Sequence, residues 1–397
     1  MNLVFLACIA WLLYLGHAYG NPFQINTYTS MDQKDPAAAS GLDRCIVVWN
    51  SYRQDGESGG IFGQLVDVNG PIGPEFQINA ISAGNQAEPT VAIDQLGRIM
   101  VAWRGPWEGL DDSEIVARIL DPNGQALTGQ IHVNTFNQQA QAFPKVAAGL
   151  GERFFVVWQS DQGPASSKFT ILGQLVGATG QLLGTELEVS DTPAYATRFP
   201  DVAAGPDGSF AVCWLEDRTT DAVRVRLFDP NGQPRGASVK VNTIGLSSLS
   251  RPSLGFLSDG RMIVVWDGDP NRASEDDIRA RILDMDGRPI GDEFVVNSTT
   301  TGAQQYPRLA CAEDGNILVV WEGPAGDANS GIKIFGRIVG PTVGMVGPEM
   351  LISNLEGSQR SPVVSLLDGS MLVVWEDQQQ DGSGSGIFGT ILAIGMP

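Results

Sequence analysis

The stretch Val373-Val374-Trp375-Glu376-Asp377 is one copy of a signal that recurs along the whole chain. In each copy two small or branched residues precede a tryptophan, and successive tryptophans lie about 54 residues apart. The other six copies are centred on Trp49, Trp103, Trp158, Trp214, Trp266 and Trp321. A period of this length indicates a repeat architecture rather than the two or three separate domains that 397 residues would otherwise suggest.

Each repeat can be divided into four short strands. The first follows a proline and is rich in small and branched residues, as in residues 200–204 (PDVAA). A tight turn such as Asp259-Gly260 leads to the second, most apolar strand, which carries the tryptophan. A polar loop, a third strand, a turn such as residues 121–124 (DPNG) and a fourth strand complete the unit.

Seven such units predict an all-β fold, a seven-bladed β-propeller of four-stranded antiparallel blades. A four-stranded sheet that is apolar on both faces cannot bury them alone, whereas radial stacking buries both. The tryptophans are expected to wedge between blades. The seventh repeat ends after its third strand, and residues 22–26 (PFQIN) read as an isolated fourth strand. The N-terminal strand is therefore predicted to close the last blade.

The first twenty residues, MNLVFLACIAWLLYLGHAYG, form an uncharged apolar run that ends in small residues. This run is short for a membrane span and is typical of a secretory signal peptide, although it lacks a basic n-region. The domain prediction is a signal peptide over 1–20 and a propeller over 21–397. The protein is expected to be secreted or extracytoplasmic, in the periplasm or at the cell surface, without a stable membrane span after cleavage.

The repeats resemble the VVWxSxxxDGxGxGIxGQxxDxxGxxxGxEFxxN units of secreted and surface-exposed bacterial repeat proteins. The best copies are residues 375–389 and 61–79, and the resemblance covers almost the whole chain after residue 20. It implies an exported propeller. Such families share no one activity, so the resemblance implies no catalytic residue.

The net charge of −20 comes from 45 acidic and 25 basic residues. This balance argues against nucleic acid and anionic membranes as partners, because there is no basic surface to release counterions. Extracellular carbohydrate or protein remains as the expected partner.

The loops after the tryptophans differ between copies and carry many of the acids, so we expect any site there. No cofactor is required by the sequence, but dense carboxylates could hold Ca²⁺, which prefers six to eight oxygen ligands. The candidate metal ligands are Glu275, Asp276 and Asp277. The candidate ligand-binding residues are Trp107, an aromatic platform for a sugar ring, with Asp111, Asp112, Asp267 and Asp269. Solvated loop tips and local packing of Trp107 are the competing interpretations.

The sequence favours a binding protein over an enzyme. After residue 20 the only histidine is His132, inside a strand, which leaves no second candidate for a Ser-His-Asp or Cys-His constellation. The Ser-x-Asp-x-Gly-x-Thr-Trp box of sialidases is absent. We therefore expect a non-enzymatic binding or adhesion propeller that recognises carbohydrate or protein through acidic loops. The alternatives are a carboxylate-based glycan hydrolase or lyase and a structural cell-surface or matrix protein without a discrete site.

Two further series of polar residues are expected to stabilise the propeller itself. A polar residue, most often arginine, recurs in the third strand and is expected to brace neighbouring blades; the series is Gln64, Arg118, Gln174, Arg226, Arg281, Arg337 and Thr390. An asparagine or serine ends each fourth strand and is expected to cap the following turn. This second series is Asn26, Asn79, Asn134, Ser190, Asn242, Asn297 and Ser353.

Overall fold

The computed structural model describes residues 20–41, 43–107, 113–137, 139–161, 169–218, 221–244, 251–268, 275–326, 331–341, 344–345 and 347–393. Regular structure in these ranges consists of β-strands. Among the described residues, no helix is long and apolar enough to cross a bilayer. Residues 1–19 lie outside these ranges, so the signal peptide stays a prediction.

The strands form seven antiparallel sheets, each built around one of the repeated tryptophans. The first strand in the chain, β1 (Phe23–Gln24), belongs to the last sheet. Blade 1 consists of β2 (Gln33–Ser40), β3 (Cys45–Tyr52), β4 (Gly59–Asp67) and β5 (Gly70–Gln77). Blade 2 consists of β6 (Ala87–Ile93), β7 (Ile99–Gly105), β8 (Glu114–Leu120) and β9 (Ile131–His132). Blade 3 consists of β10 (Gln141–Gly149), β11 (Arg153–Asp161), β12 (Phe169–Gly177) and β13 (Leu182–Glu188).

The next three blades repeat this order. Blade 4 consists of β14 (Ala196–Ala204), β15 (Phe210–Asp217), β16 (Ala222–Phe228) and β17 (Val239–Lys240). Blade 5 consists of β18 (Ser253–Phe256), β19 (Met262–Gly268), β20 (Asp277–Leu283) and β21 (Pro289–Val295). Blade 6 consists of β22 (Gln305–Cys311), β23 (Ile317–Pro324) and β24 (Ile332–Gly340), and its outer edge is divided between β25 (Gly344–Met345) and β26 (Met350–Leu351).

Blade 7 joins the two ends of the chain. It consists of β27 (Gln359–Leu367), β28 (Ser370–Asp377), β29 (Gly386–Ala393) and the N-terminal strand β1. Phe23 pairs with Gly389, and Gln24 pairs with Phe388. The predicted closure of the last blade by the N-terminal strand is therefore confirmed.

The inner strands form a closed ring around the axis. Each contacts the inner strand of the next blade in the order β2, β6, β10, β14, β18, β22 and β27, and β27 contacts β2 again. The predicted seven-bladed β-propeller is confirmed.

The repeated tryptophans lie between blades, as predicted. All seven are fully buried. Trp158 of blade 3, for example, packs with Met100 and Ile115 of blade 2, and Trp49 packs with Val374 of blade 7. Burial of one indole removes on the order of 200 Å² from water, and truncation of such a side chain to alanine costs about 3–5 kcal/mol.

The residue that ends each fourth strand holds the start of the third strand of its own blade. The side-chain oxygen of Asn79 accepts a hydrogen bond from the backbone N–H of Ile61 at 2.8 Å, and Asn26 accepts one from Ile387 at 2.7 Å. The amide nitrogen then donates to a carbonyl two residues on, as from Asn79 to Ile81 at 3.0 Å. The capping role is confirmed, and the same side chains also fix the outer strand pair.

The arginines of the third strands join neighbouring blades, as expected, although their principal partners are backbone carbonyls rather than acids. Arg281 of blade 5 donates to the carbonyl of Val241 in blade 4 at 2.7 Å. Arg118, Arg226 and Arg337 make the equivalent bond to the preceding blade. Gln64 instead donates to carbonyls of its own blade.

Substitution of Arg281 tests this bracing. We expect Arg281→Met to lower the free energy of unfolding by about 1–3 kcal/mol, because a buried carbonyl loses a charged donor. Arg288→Met is the matched control, since Arg288 lies in an exposed turn and pairs only with exposed Asp286. Urea unfolding of the two variants and the wild type makes the comparison, and equal stabilities would contradict the bracing role.

Substitution of Asn26 tests the closure. Asn26→Ala leaves the N–H of Ile387 without its acceptor, and we expect a loss of about 1–3 kcal/mol in unfolding free energy. Asn26→Ser is the control, because Ser190 and Ser353 accept the same bond in blades 3 and 6. The serine variant should retain more of the stability than the alanine variant; the reverse order in thermal unfolding would refute this account.

Candidate functional site

A cavity of about 500 Å³ lies on the propeller axis at the end where the inner strands begin. All seven inner strands contribute to its wall, each through the residues next to its first proline. Its volume falls within the range of sites for small ligands, which is roughly 300–1,000 Å³. The loops that follow the tryptophans belong to this same end of the strands, so the predicted face is the one on which the cavity opens.

The cavity wall contains a ring of unusual backbone conformations. In six blades the residue before the first proline has a φ between 51° and 55°, and the pairing register shifts at that point. These residues are Asp35, Glu88, Phe143, Phe199, Tyr306 and Ser361. Left-handed conformations of non-glycine residues cost of order 1–3 kcal/mol each and cluster at functional sites. The repetition of this bulge around the axis marks the ring as the candidate site.

Carboxylates hold several of these bulges in place. Glu376 accepts the backbone N–H of Asp35 at 2.8 Å, and Glu322 accepts that of Ser361 at 2.6 Å. Both glutamates directly follow a blade tryptophan, and each reaches the next blade of the ring. Glu88 does the same for Phe143 at 2.6 Å. The bulges and the acids of the cavity are therefore fixed together.

One side of the ring, formed by blades 6, 7 and 1, is acidic. Asp35 and Glu322 line the cavity, and Glu376 lies beside Asp35. Burial, and next the neighbouring Asp35 carboxylate, raise the pKa of Glu376 to about 7. Burial also raises the pKa of Asp35 and of Glu322 above their usual ranges. This side can hold a proton near neutral pH and still offer an ionised carboxylate, which is what general acid–base chemistry needs.

Another side of the cavity, formed by blades 3 to 6, is rich in cations. Lys145, Arg251 and Arg308 line the wall together with Asp201. Burial, and next the charge of Arg308, lower the pKa of Lys145 to about 8. Burial also lowers the pKa of Arg308. Because both shifts disfavour the charged forms, these side chains are held at an electrostatic cost.

Aromatic rings fix the position of Arg251. Its guanidinium carbon lies 5.6 Å, 4.9 Å and 5.1 Å from the ring centroids of Phe143, Phe199 and Tyr306. The two phenylalanines pack edge to face at 5.1 Å. Phe143 and Tyr306 also line the cavity, so they present apolar surface next to charged groups.

The predicted sugar platform contacts neighbouring side chains, and its role in binding stays a prediction. Trp107 is half-buried, packs against the cluster between blades 1 and 2, and stacks on His132 with ring centroids 5.0 Å apart. Asp111, Asp112 and Asp269 lie outside the described residues.

The other predicted loop acids hold local structure. Asp267 is buried and accepts the backbone N–H of Arg251 at 3.4 Å, behind the cavity wall. Asp276 accepts from Gln305 at 3.1 Å, and Asp277 accepts from Asn297 at 2.7 Å. Glu275 is exposed. Within the described ranges, no three His, Cys, Asp or Glu side chains form a cluster suited to a metal; calcium binding stays a prediction.

The residues that line the cavity were missed in the sequence. Most of the polar and charged ones lie directly before or after the first proline of a repeat, and Glu322 directly follows a tryptophan. At the position after the proline the blades carry Ala37, Thr90, Lys145, Asp201, Ser253, Arg308 and Val363. The charged residues in this series, among small residues in strands predicted to lie at the axis, were the sequence signal that could have indicated the site.

Comparison with known proteins gives similarity of fold. No protein-family model matches the sequence, and no curated protein matches it. A protein of unknown function from Dyadobacter fermentans shares 13% identity, with 94% of this chain and 98% of that chain covered and a TM-score of 0.57. An ulvan lyase of a new polysaccharide lyase family, bound to GlcA(1-4)Rha3S, shares 9% identity over 95% of each chain, with a TM-score of 0.58. An α-L-arabinofuranosidase from Fusarium graminearum shares 11% identity over 77% of this chain and 92% of that chain, with a TM-score of 0.52.

These structures correct the functional expectation. The interpretation as a non-enzymatic binding or adhesion propeller is wrong by this comparison, since the similar structures with a stated activity are a lyase and a glycosidase. The absence of a histidine constellation did not exclude an enzyme, because carboxyl groups alone can perform both proton transfers.

The raised pKa of Glu376 predicts a pH dependence of stability. The usual pKa of this carboxyl is 4.5, so between pH 4.5 and about pH 7 the folded state holds a proton that the unfolded chain releases. This contribution to stability is complete below that window and is lost as the pH rises through about 7. Glu376→Gln keeps an acceptor for Asp35 but cannot titrate, so its melting temperature should fall less than that of the wild type as the pH rises.

The control for this measurement is Asp292→Asn, which removes an exposed carboxylate in β21. It should follow the wild-type profile. In the Glu376→Gln variant the melting temperature should still fall somewhat as the pH rises, because the pKa values of Asp35 and Glu322 are also raised. Identical slopes for wild type and Glu376→Gln would show that Glu376 does not titrate in this window.

Proposed function

We propose that the protein is a carboxylate-based glycan hydrolase or lyase that acts in the axial cavity. The observation that carries this proposal is the group of three carboxyls, Asp35, Glu322 and Glu376, at the wall of a cavity of about 500 Å³. Their pKa values are all raised. Similarity of fold to a lyase and an arabinofuranosidase supports the same class.

Asp35 and Glu322 are the groups proposed to touch the substrate, because both line the cavity. Glu376 is a positioning residue, since it accepts the backbone N–H of Asp35 and the charge of the Asp35 carboxyl acts on it. In a hydrolase one of the two lining carboxyls protonates the leaving oxygen while the other acts as base or nucleophile. In a lyase one of them removes a proton from the sugar ring and the other protonates the leaving oxygen.

The surroundings suit a sugar. Phe143 and Tyr306 supply ring surface, and the polar groups of the wall supply donors and acceptors. We further propose that the substrate is extracellular, as the signal-like residues 1–20 and the resemblance to exported bacterial repeat proteins both suggest.

A turnover screen tests the proposal. The full chain is incubated with a panel of neutral and acidic polysaccharides, and new reducing ends and unsaturated sugars are measured separately to distinguish hydrolysis from elimination. We expect Asp35→Asn and Glu322→Gln each to lower turnover at least about 100-fold, the effect of losing a general acid or base. Asparagine tolerates the left-handed backbone of residue 35, so the first variant should fold.

Asp292→Asn is again the control and should retain wild-type turnover. Circular dichroism checks that each variant is folded. Products from wild type and both cavity variants at equal rates would place the chemistry elsewhere. Failure of the folded wild type to release any product across the panel would refute the proposed function.

A further inference from the structure

We propose that the cationic side of the axial cavity binds a negatively charged group of the glycan, a carboxylate or a sulfate ester, through Lys145, Arg251 and Arg308. This inference rests on the proposed function for the glycan itself and adds the substrate class, an acidic polysaccharide. It is carried by the position of these three side chains on the cavity wall and by the lack of ion pairs to them among the described residues.

The three cations lack ion-pair partners within the part of the chain that the structure describes. Some other buried or half-buried arginines are paired there, including Arg98 with Asp94, Arg224 with Glu216 and Arg279 with Glu293. The arginines that brace the blades, such as Arg281, donate to backbone carbonyls instead. The described ion pairs include none with Lys145, Arg251 or Arg308. A cation withdrawn from water without a counter-charge is costly, so such residues are expected where a ligand supplies the charge.

Asp201, the acid nearest to this group, is already engaged. One of its carboxylate oxygens accepts the hydroxyl of Ser253 at 2.8 Å and the backbone N–H of Leu254 at 3.2 Å. Its charge acts on both Lys145 and Arg308. The charge of Glu88 also acts on Lys145 and that of Asp267 on Arg308, while Arg251 acts on both cations. The three cations thus lie together on one part of the cavity wall in a protein whose net charge is −20.

The donors of this group are available to a ligand. Among the described residues, Arg308 makes one side-chain hydrogen bond, to the carbonyl of Pro307 at 2.9 Å. The guanidinium carbon of Arg251 lies within 5.6 Å of three ring centroids, and among the described residues the guanidinium makes no hydrogen bond, so its N–H groups are available to an anion. The mutual repulsion that contributes to the low pKa of Lys145 would be relieved by a bound anion.

The placement also orients a substrate. The cations line the same cavity as Asp35 and Glu322. The charges of Arg251 and Arg308 act on Glu322, and those of Arg251 and Lys145 act on Asp35. An acidic sugar held by the cations would therefore extend toward the carboxyl groups. A neutral sugar would leave the cations unpaired and should bind more weakly.

Equilibrium binding by calorimetry tests this inference with the full chain. The probes are an oligogalacturonate, a sulfated galactan oligosaccharide, a neutral galactan oligosaccharide of the same length and inorganic sulfate. We expect at least one acidic oligosaccharide to bind at least about 10-fold more tightly than the neutral one, with an affinity that falls as salt is added. Which acidic probe binds distinguishes a carboxylate from a sulfate.

The variants Lys145→Met and Arg308→Met should each weaken binding of that oligosaccharide at least about 10-fold. Lys240→Met is the matched control, because Lys240 is an exposed cation in an outer strand. Equal affinity for neutral and acidic probes, or unchanged affinity in both cavity variants, would overturn the inference. Inorganic sulfate that binds as tightly as the acidic oligosaccharides would reveal a simple anion site and also overturn it.

The two proposals can fail separately. If the enzyme turned over neutral glycans in preference to acidic ones, the proposed hydrolase or lyase would be supported and the acidic substrate class would be refuted. Cation-dependent binding of an acidic oligosaccharide without turnover of any glycan would support the anion site and remove the enzyme.

Discussion

The packing of one tryptophan between each pair of blades is the constraint on which the rest of the structure depends. A single blade is apolar on both faces and has no stable form alone, so the indoles make the ring cooperative. The same residue recurs at each interface, and the inner strands close into a ring. A cavity lies on the axis of that ring.

Residues of the cavity lie directly beside residues that hold the blades together. Glu322 and Glu376 stand next to structural tryptophans, yet their carboxylates reach the next blade and fix its bulge. The bulged residue is thereby forced into a left-handed conformation that it would not adopt alone. The site thus derives its geometry from contacts between blades, and its chemistry from side chains that vary among blades at equivalent positions.

The sequence was sufficient for the architecture because the repeat is a physical unit seen seven times. The tryptophans, the capping asparagines such as Asn79 and the bracing arginines such as Arg281 each follow from burial or hydrogen bonding within that unit. The site was not predictable in the same way, since the densest clusters of acidic residues in the sequence lie in the long loops after the tryptophans and not in the inner strands. Asp35, Lys145 and Arg308 become neighbours only when the ring closes, and a bulge before a proline has no clear signature in one sequence.

The bond between Asp35 and Glu376 has a consequence for biosynthesis. These residues lie 341 positions apart, one near the start of the described chain and one near its end. During synthesis from the N-terminus, the carboxyl pair cannot form until the last blade has emerged and received the first strand. Nascent chains and fragments that lack blade 7 would therefore lack this pair of carboxyls.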